Sequence, residues 1–204
     1  MSMEDWEVRK TIASDPHARP DILARLADDE DEMIRRAVAD NPNTPSSVIA
    51  KLTEDSDWRV AERAVLNPNI PVDIIEDIVY NGGPLDRELI ARNSSTPPEL
   101  LAELYESYDP DIAAQLAENP STPVDILDKL ADSGLANTLC RLARNPNISL
   151  PVLQKLASSP CSWLVRLATM DNPNITVDIL RKLADDDSQD VRWFAQKKLE
   201  QLGE

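Results

Sequence analysis

Aliphatic side chains recur along the chain at Ile22, Val48, Ile74, Leu100, Ile126, Val152 and Ile179. Each is followed directly by another, at Leu23, Ile49, Ile75, Leu101, Leu127, Leu153 and Leu180. A third stands three residues further on, at Leu26, Leu52, Ile78, Leu104, Leu130, Leu156 and Leu183. Spacing of i, i+1 and i+4 puts all three on one face of a helix. A second helical piece, expected to be the shorter, precedes each of these stripes. It is seen as Val8-Arg9, Ile34-Arg35, Val165-Arg166 and Val191-Arg192, followed by small or aliphatic pairs such as Ile12-Ala13 and Val38-Ala39.

The breaks between these pieces are periodic too. Asp15-Pro16, Asn41-Pro42, Asn67-Pro68, Asn93-Ser94, Asn119-Pro120, Asn145-Pro146 and Asn172-Pro173 are spaced by 26 residues five times and by 27 at the last step. The extra residue is assigned to the loop 158–162. Asn-Pro ends the upstream piece, because the residue before proline is pushed out of the α region. In Asn43-Thr44-Pro45 and Ser121-Thr122-Pro123 the threonine is expected at N-cap and the proline at N1, with Asp73, Asp125 and Asp178 at N3. Asp5, Asp31, Asp57, Asp109, Ser162 and Ser188, ten residues before a break or its expected place, are expected to cap the upstream piece.

A 26-residue unit cannot bury its own apolar stripe, so neighbours must stack and share an elongated core. Each fully buried aliphatic contributes about 1.5–3 kcal/mol before entropy is counted. The pattern predicts an all-α solenoid of about seven repeats forming one domain over 1–204, with Met1 to Glu7 and Gln196 to Gln201 as polar ends. Val-Arg…Ala…Asn-Pro-Asn-Thr-Pro…Val-Asp-Ile-Leu…Leu-Ala, repeated over about residues 5–198, resembles the leucine-rich repeat variant family, a HEAT-like helical solenoid. The resemblance implies α-helices alternating with short helices, 3₁₀ or α, in a right-handed superhelix. The cysteine cluster that holds an iron–sulfur centre in that family has no counterpart here, so the resemblance carries over a fold and no cofactor.

Composition narrows the function classes. With 37 Asp and Glu against 21 Lys and Arg, the formal net charge is −16. That repels nucleic acid and anionic membranes at long range and favours a basic protein partner. Cys140 and Cys161 make neither a disulfide framework nor a paired metal motif, which fits a reducing, cytoplasmic setting. No signal-peptide pattern and no apolar run of membrane-spanning length is present, so no membrane role is expected. His17 is the only histidine. It occupies a turn position held elsewhere by Asn43, Asn69 and Asn147, and no catalytic residue is assigned.

Candidate contact residues fall in two groups. Arg9, Arg35, Arg87, Arg166 and Arg192 share one position in the repeat and could grip an acidic partner or phosphates. The favoured reading is that each pairs with a cap or loop aspartate of its own or the adjoining repeat. Trp6, Trp58 and Trp163 also share a position and are expected to lean on a neighbouring repeat, whereas Trp193 and Phe194 are expected to close the C-terminal core. Tyr80, Tyr105 and Tyr108 lie where the repeat is least regular: Tyr80-Asn81-Gly82-Gly83-Pro84 replaces an acidic junction, and Asp86 stands where an apolar residue is due. Tyrosines suit protein contacts, and these three are the candidate partner-binding aromatics. The expected function is a non-enzymatic protein-interaction scaffold. The alternative is a nucleic-acid-associated repeat protein using the arginines.

Overall fold

Asp31, Asp57 and Asp109 each accept a hydrogen bond from a backbone N–H two residues on, and so start a helix that runs nine residues to the next Asn. A computed structural model describes residues 6–204; Asp5 and the proposed end segment before Trp6 lie outside the described residues. Fifteen α-helices and no strands occur among these residues. The chain divides into two compact units, Met1–Leu100 and Leu101–Glu204.

The first unit holds α1 (Trp6–Ser14), α2 (Pro20–Leu26), α3 (Glu32–Asp40), α4 (Ser46–Leu52), α5 (Trp58–Leu66), α6 (Val72–Asn81) and α7 (Pro84–Arg92). α1 packs on α3, α3 on α5 and α5 on α7, with the even-numbered helices filling in beside them. The boundary falls within α8 (Pro98–Tyr105). The second unit continues with α9 (Pro110–Glu118), α10 (Val124–Leu130), α11 (Ala136–Arg144), α12 (Leu150–Leu156), α13 (Trp163–Thr169), α14 (Val177–Leu183) and α15 (Gln189–Leu202). There α9 packs on α11, α11 on α13 and α13 on α15, the stacking of a helical solenoid.

Two local expectations are corrected. The upstream helix is the longer one, nine residues in α3, α5, α9 and α11, against seven in α2, α4, α10 and α12. Its length is set by the distance from the capping residue to Asn, and both helices of the repeat are α. Thr44, Thr96 and Thr122 do not cap the helix that follows. Each is buried and donates its hydroxyl back to the carbonyl six residues earlier, at Val38, Ile90 and Leu116, over 2.6–2.7 Å. Pro45 and Pro123 then stand at N-cap, whereas Ser149 and Thr176 cap their helices through a side-chain oxygen.

The buried asparagines join one repeat to the next. Asn67 is 3% exposed, and its Nδ2 donates to the carbonyls of Ala39 at 2.6 Å and of Asn41 at 3.0 Å, while its Oδ1 accepts from the N–H of Asn69 at 2.8 Å. Asn41, Asn93, Asn145 and Asn172 repeat both donated bonds to the preceding repeat. Asn67, Asn93, Asn145 and Asn172 thus hydrogen-bond the backbone of the Asn before them, and Asn41 that of Asp15, a ladder of amides inside the core. Asn serves because its amide donates and accepts at once. Asp15, at the same position, has only the accepting half of the role and takes the N–H of His17 at 2.9 Å.

Around this ladder Leu23, Ile49, Ile75, Leu101, Leu127, Leu153 and Leu180 are fully buried or nearly so. The C-terminal pair behaves otherwise. Val191 and Ala195 turn inward from α15, whereas Trp193 and Phe194 are 53% and 48% exposed in an edge-to-face contact at 4.8 Å. They do not close the core, because they lie on the flank of α15 away from its buried i, i+4 stripe.

Candidate functional site

The junctions between repeats differ in the side chains that close them. At a closed junction an arginine of one repeat reaches an aspartate twenty residues later. Arg35 holds Asp55 through Nε and Nη2 at 2.7 and 3.0 Å, and Arg166 holds Asp186 the same way at 2.7 and 2.8 Å. Arg9 meets Asp29 at 2.7 Å. Asp29, Asp55 and Asp186 also accept the N–H two residues on, which fixes the turn before the next helix. The arginine's remaining nitrogen ties its own junction: Arg35 to the Asp29 carbonyl at 2.9 Å, Arg166 to that of Ser159 at 2.9 Å, and Arg192 to that of Asp186 at 2.6 Å.

The arginine–aspartate rungs are charge-assisted and largely shielded, with side chains 7–15% exposed, and those of Arg35 and Arg166 are bidentate. The hydrogen bond from Arg35 holds the Asp55 carboxyl below the usual carboxylate range against the opposing cost of burial, and the same bond raises Arg35. Burial opposes ionisation of Asp186 most strongly, yet hydrogen bonds from Arg166 and the Ser188 backbone bring it below that range. Half-buried Asp57 is lowered to about 2 by hydrogen bonds from the side chain and backbone of Arg59.

Across the repeats the two rung positions change together. Arg and Asp stand opposed at 9 and 29, 35 and 55, and 166 and 186; both are lost at Ala61 and Asn81, Ala113 and Ser133, and Leu139 and Ser159. Arg87 is the exception, since Ser107 stands at its aspartate position. Its Nη2 donates to the Tyr80 carbonyl at 3.2 Å, and its buried Nε has no hydrogen-bond partner.

The third junction lacks more than the rung. Trp6 donates its indole N–H to Asp31 at 2.7 Å, but Gly83 stands at the position equivalent to Asp31 for Trp58. Trp58 is left 71% exposed at the start of α5. α6 runs to ten residues and stops at Gly82, where a Cβ would meet the Ile78 carbonyl at 2.5 Å. α7 then begins at Pro84 and presents Leu85 at 76% exposure. Ile78 is only half-buried, although its equivalents Leu26, Leu52, Leu104, Leu130, Leu156 and Leu183 are 1–2% exposed.

The result is a groove of about 830 Å³ between α5, α6 and α7. Its floor is Ala61, Val65, Ile74, Ile78 and Leu89, and its walls carry Trp58 and Leu85. Glu54, Glu62, Asp73, Asp77, Asp86 and Glu88 surround it, with Arg92 as the one basic residue of the lining. Asp77 accepts a hydrogen bond from Asn81 at 2.8 Å.

The aromatic candidates are dispersed. Tyr80 is 58% exposed near the end of α6, outside the groove lining. In the second unit Tyr105 and Tyr108 stand 6.4 Å apart beside a shallow cavity of about 330 Å³, with the Lys129 ammonium 5.7 Å from the Tyr105 ring. Tyr108 is 80% exposed and has φ of 54°, a left-handed conformation rare for a tyrosine. Among the described residues, no three His, Cys, Asp or Glu side chains gather as a metal site. Cys140 and Cys161 are free, and burial pushes the Cys140 thiol up. No helix of the described residues is long and apolar enough to cross a membrane.

Against known proteins, the architecture has a counterpart among solved structures. A leucine-rich repeat variant, described as having a novel repetitive protein structural motif, matches with a TM-score of 0.53 and 23% identity over 95% of this chain and 76% of that one. This chain has the leucine-rich repeat variant fold. No family model and no curated protein matches it. At that identity the likeness is one of fold, and the groove at the third junction is described from this chain's own residues.

Proposed function

We propose that this chain is a non-enzymatic protein-interaction scaffold whose acidic surface takes a basic protein partner in the cytoplasm. The observation that carries the reading is the division of charge. Arg9, Arg35 and Arg166 are drawn into rungs between repeats, while six acids line the groove at the third junction, in a chain of net charge −16. Nucleic-acid association would need an outward arginine stripe, and these three arginines grip aspartates instead. In the second unit, half-buried Tyr105 and exposed Tyr108 are the aromatic residues proposed to add to the contact.

Capture from native lysate at about 0.1 M and about 1 M salt tests the proposal, since the screening length shrinks from about 10 Å to about 3 Å between them. The expected result is a partner with a basic surface, held at low salt and released at high salt. Recovery of no partner at low salt, or of nucleic acid alone, would overturn it.

A further inference from the structure

We infer that the groove between α5, α6 and α7 docks a basic peptide segment that carries a large apolar side chain and belongs to a protein partner. The inference rests on the scaffold reading and adds to it a location and the chemistry of the occupant. It starts from the coordinated loss of polar closure. Arg35 and Asp55 bridge the junction before this one, but Ala61 and Asn81 hold those two positions here, and Gly83 replaces the aspartate that would accept the indole N–H. Two polar closures are missing from one place, and the surface uncovered is apolar: half-buried Ile74, Ile78 and Leu89, with Trp58 and Leu85 more than two-thirds exposed.

Charge decides the kind of occupant. Six acids and one arginine line the groove. An acidic segment is repelled by this rim and a neutral one gains nothing from it, whereas a basic one is attracted at long range and meets opposite charge on arrival. A purely polar basic segment would leave the isoleucines and leucines wet. An occupant matching both features has one bulky apolar side chain on the floor and lysines or arginines beside it. The exposed face of Trp58 then receives one of those cations, a contact in which tryptophan is the best of the aromatic rings. At about 830 Å³ the groove is within the roughly 300–1,000 Å³ typical of binding pockets, room for a few side chains rather than a whole helix face.

The neighbouring repeat supplies the design of the test. In the double variant A61R/N81D the third junction regains the residue pair found at the second, and an arginine replaces Ala61 in the lining of the groove. W58A removes the exposed indole without touching the buried core. Both are checked for native helix content by circular dichroism. The probes are three fluorescein-labelled nonapeptide pools, composed of Lys and Arg with Leu, Phe and Trp; of Lys and Arg with Gly and Ser; and of Asp and Glu with Leu, Phe and Trp. Binding to the full chain is read by anisotropy.

The expected result is that the basic apolar pool binds at least about tenfold more tightly than either other pool, and that A61R/N81D and W58A each weaken it about tenfold. Equal binding of the basic polar pool, unchanged binding by both variants, preference for the acidic pool, or no binding of any pool up to about 1 mM would overturn the inference. The two readings fail differently. A lysate partner captured equally by wild type and A61R/N81D removes the groove and leaves the scaffold; no captured partner at all removes the scaffold.

Discussion

Replacing Asn67 by alanine removes three hydrogen bonds from a residue that is 3% exposed. The Ala39 carbonyl loses the Nδ2 donor at 2.6 Å, and the Asn69 N–H loses its acceptor at 2.8 Å. The Asn41 carbonyl loses a donor at 3.0 Å but keeps the bond from the Thr44 N–H at 3.1 Å. An orphaned buried group costs about 1–3 kcal/mol, and a lost bond whose acceptor retains another partner about 0.5–1.5 kcal/mol. Two groups of the first kind and one of the second, softened by water reaching the half-buried Asn69, give about 3 kcal/mol for N67A. The control is N69A, whose Nδ2 donates to Pro42 and Thr44 carbonyls at 2.7 and 2.9 Å from a half-buried position and whose loss costs about 1 kcal/mol. Urea unfolding followed by circular dichroism measures both. At typical slopes of about 1–3 kcal/mol/M, N67A lowers the midpoint by roughly 1–3 M with the slope unchanged. A loss below about 1 kcal/mol, or no larger than that of N69A, would refute the ladder as a principal tie between repeats.

Other expectations concern the rungs and the irregular loop. R35M alone leaves the shielded Asp55 unpaired and costs about 2–4 kcal/mol, while R35M/D55N costs less than the sum of the single changes by at least about 1 kcal/mol in a double-mutant cycle; additivity would mean the rung is not a coupled pair. Asp55 and Asp186 have lowered pKa values, so the stability they contribute is complete above their unfolded value near about pH 4 and is lost as pH falls through the folded values. The difference in urea midpoint between wild type and R166M should therefore narrow from pH 5 to pH 2, and a difference that widens would reverse the sign assigned here. Y108N puts a residue tolerant of positive φ where Tyr108 has 54°, and is expected to raise stability by about 0.5–1 kcal/mol, or about 2 °C in Tm; a fall in Tm would show that the Tyr105–Tyr108 contact outweighs the backbone strain.

Much of the solenoid could be read from the chain because aliphatics at i, i+1 and i+4 recur seven times with proline between them. The asparagine ladder was less visible. Proline alone accounts for the helix stop after Asn41 or Asn67, and the amide's bonds run to backbone atoms 26 and 28 residues earlier, which leave no side-chain signature. Thr44 was misplaced for a related reason: a threonine before proline fits an N-cap locally, and only the stacked helix shows that the Val38 carbonyl is nearer to hand. The arginine–aspartate pairing was legible as a tendency, since acids and arginines recur in step. The groove leaves a signal only in the aligned repeats, where Ala61, Asn81 and Gly83 depart together from the Arg35, Asp55 and Asp31 positions, and the tyrosines, though more conspicuous, stand outside it. The exposure of Trp193 and Phe194 could not be read from sequence, because i, i+4 spacing along α15 selects Val191 and Ala195 equally well only once the packed face is known.

The central claim is that the unclosed third junction is where this scaffold receives a basic, partly apolar segment. Amide hydrogen exchange of the full chain, with and without a saturating basic apolar peptide pool, tests it most directly. The account predicts added protection concentrated in residues 53–62 and 72–92 and absent from A61R/N81D. Protection spread evenly over the acidic junctions, or confined to the region of Tyr105 and Tyr108, would contradict it.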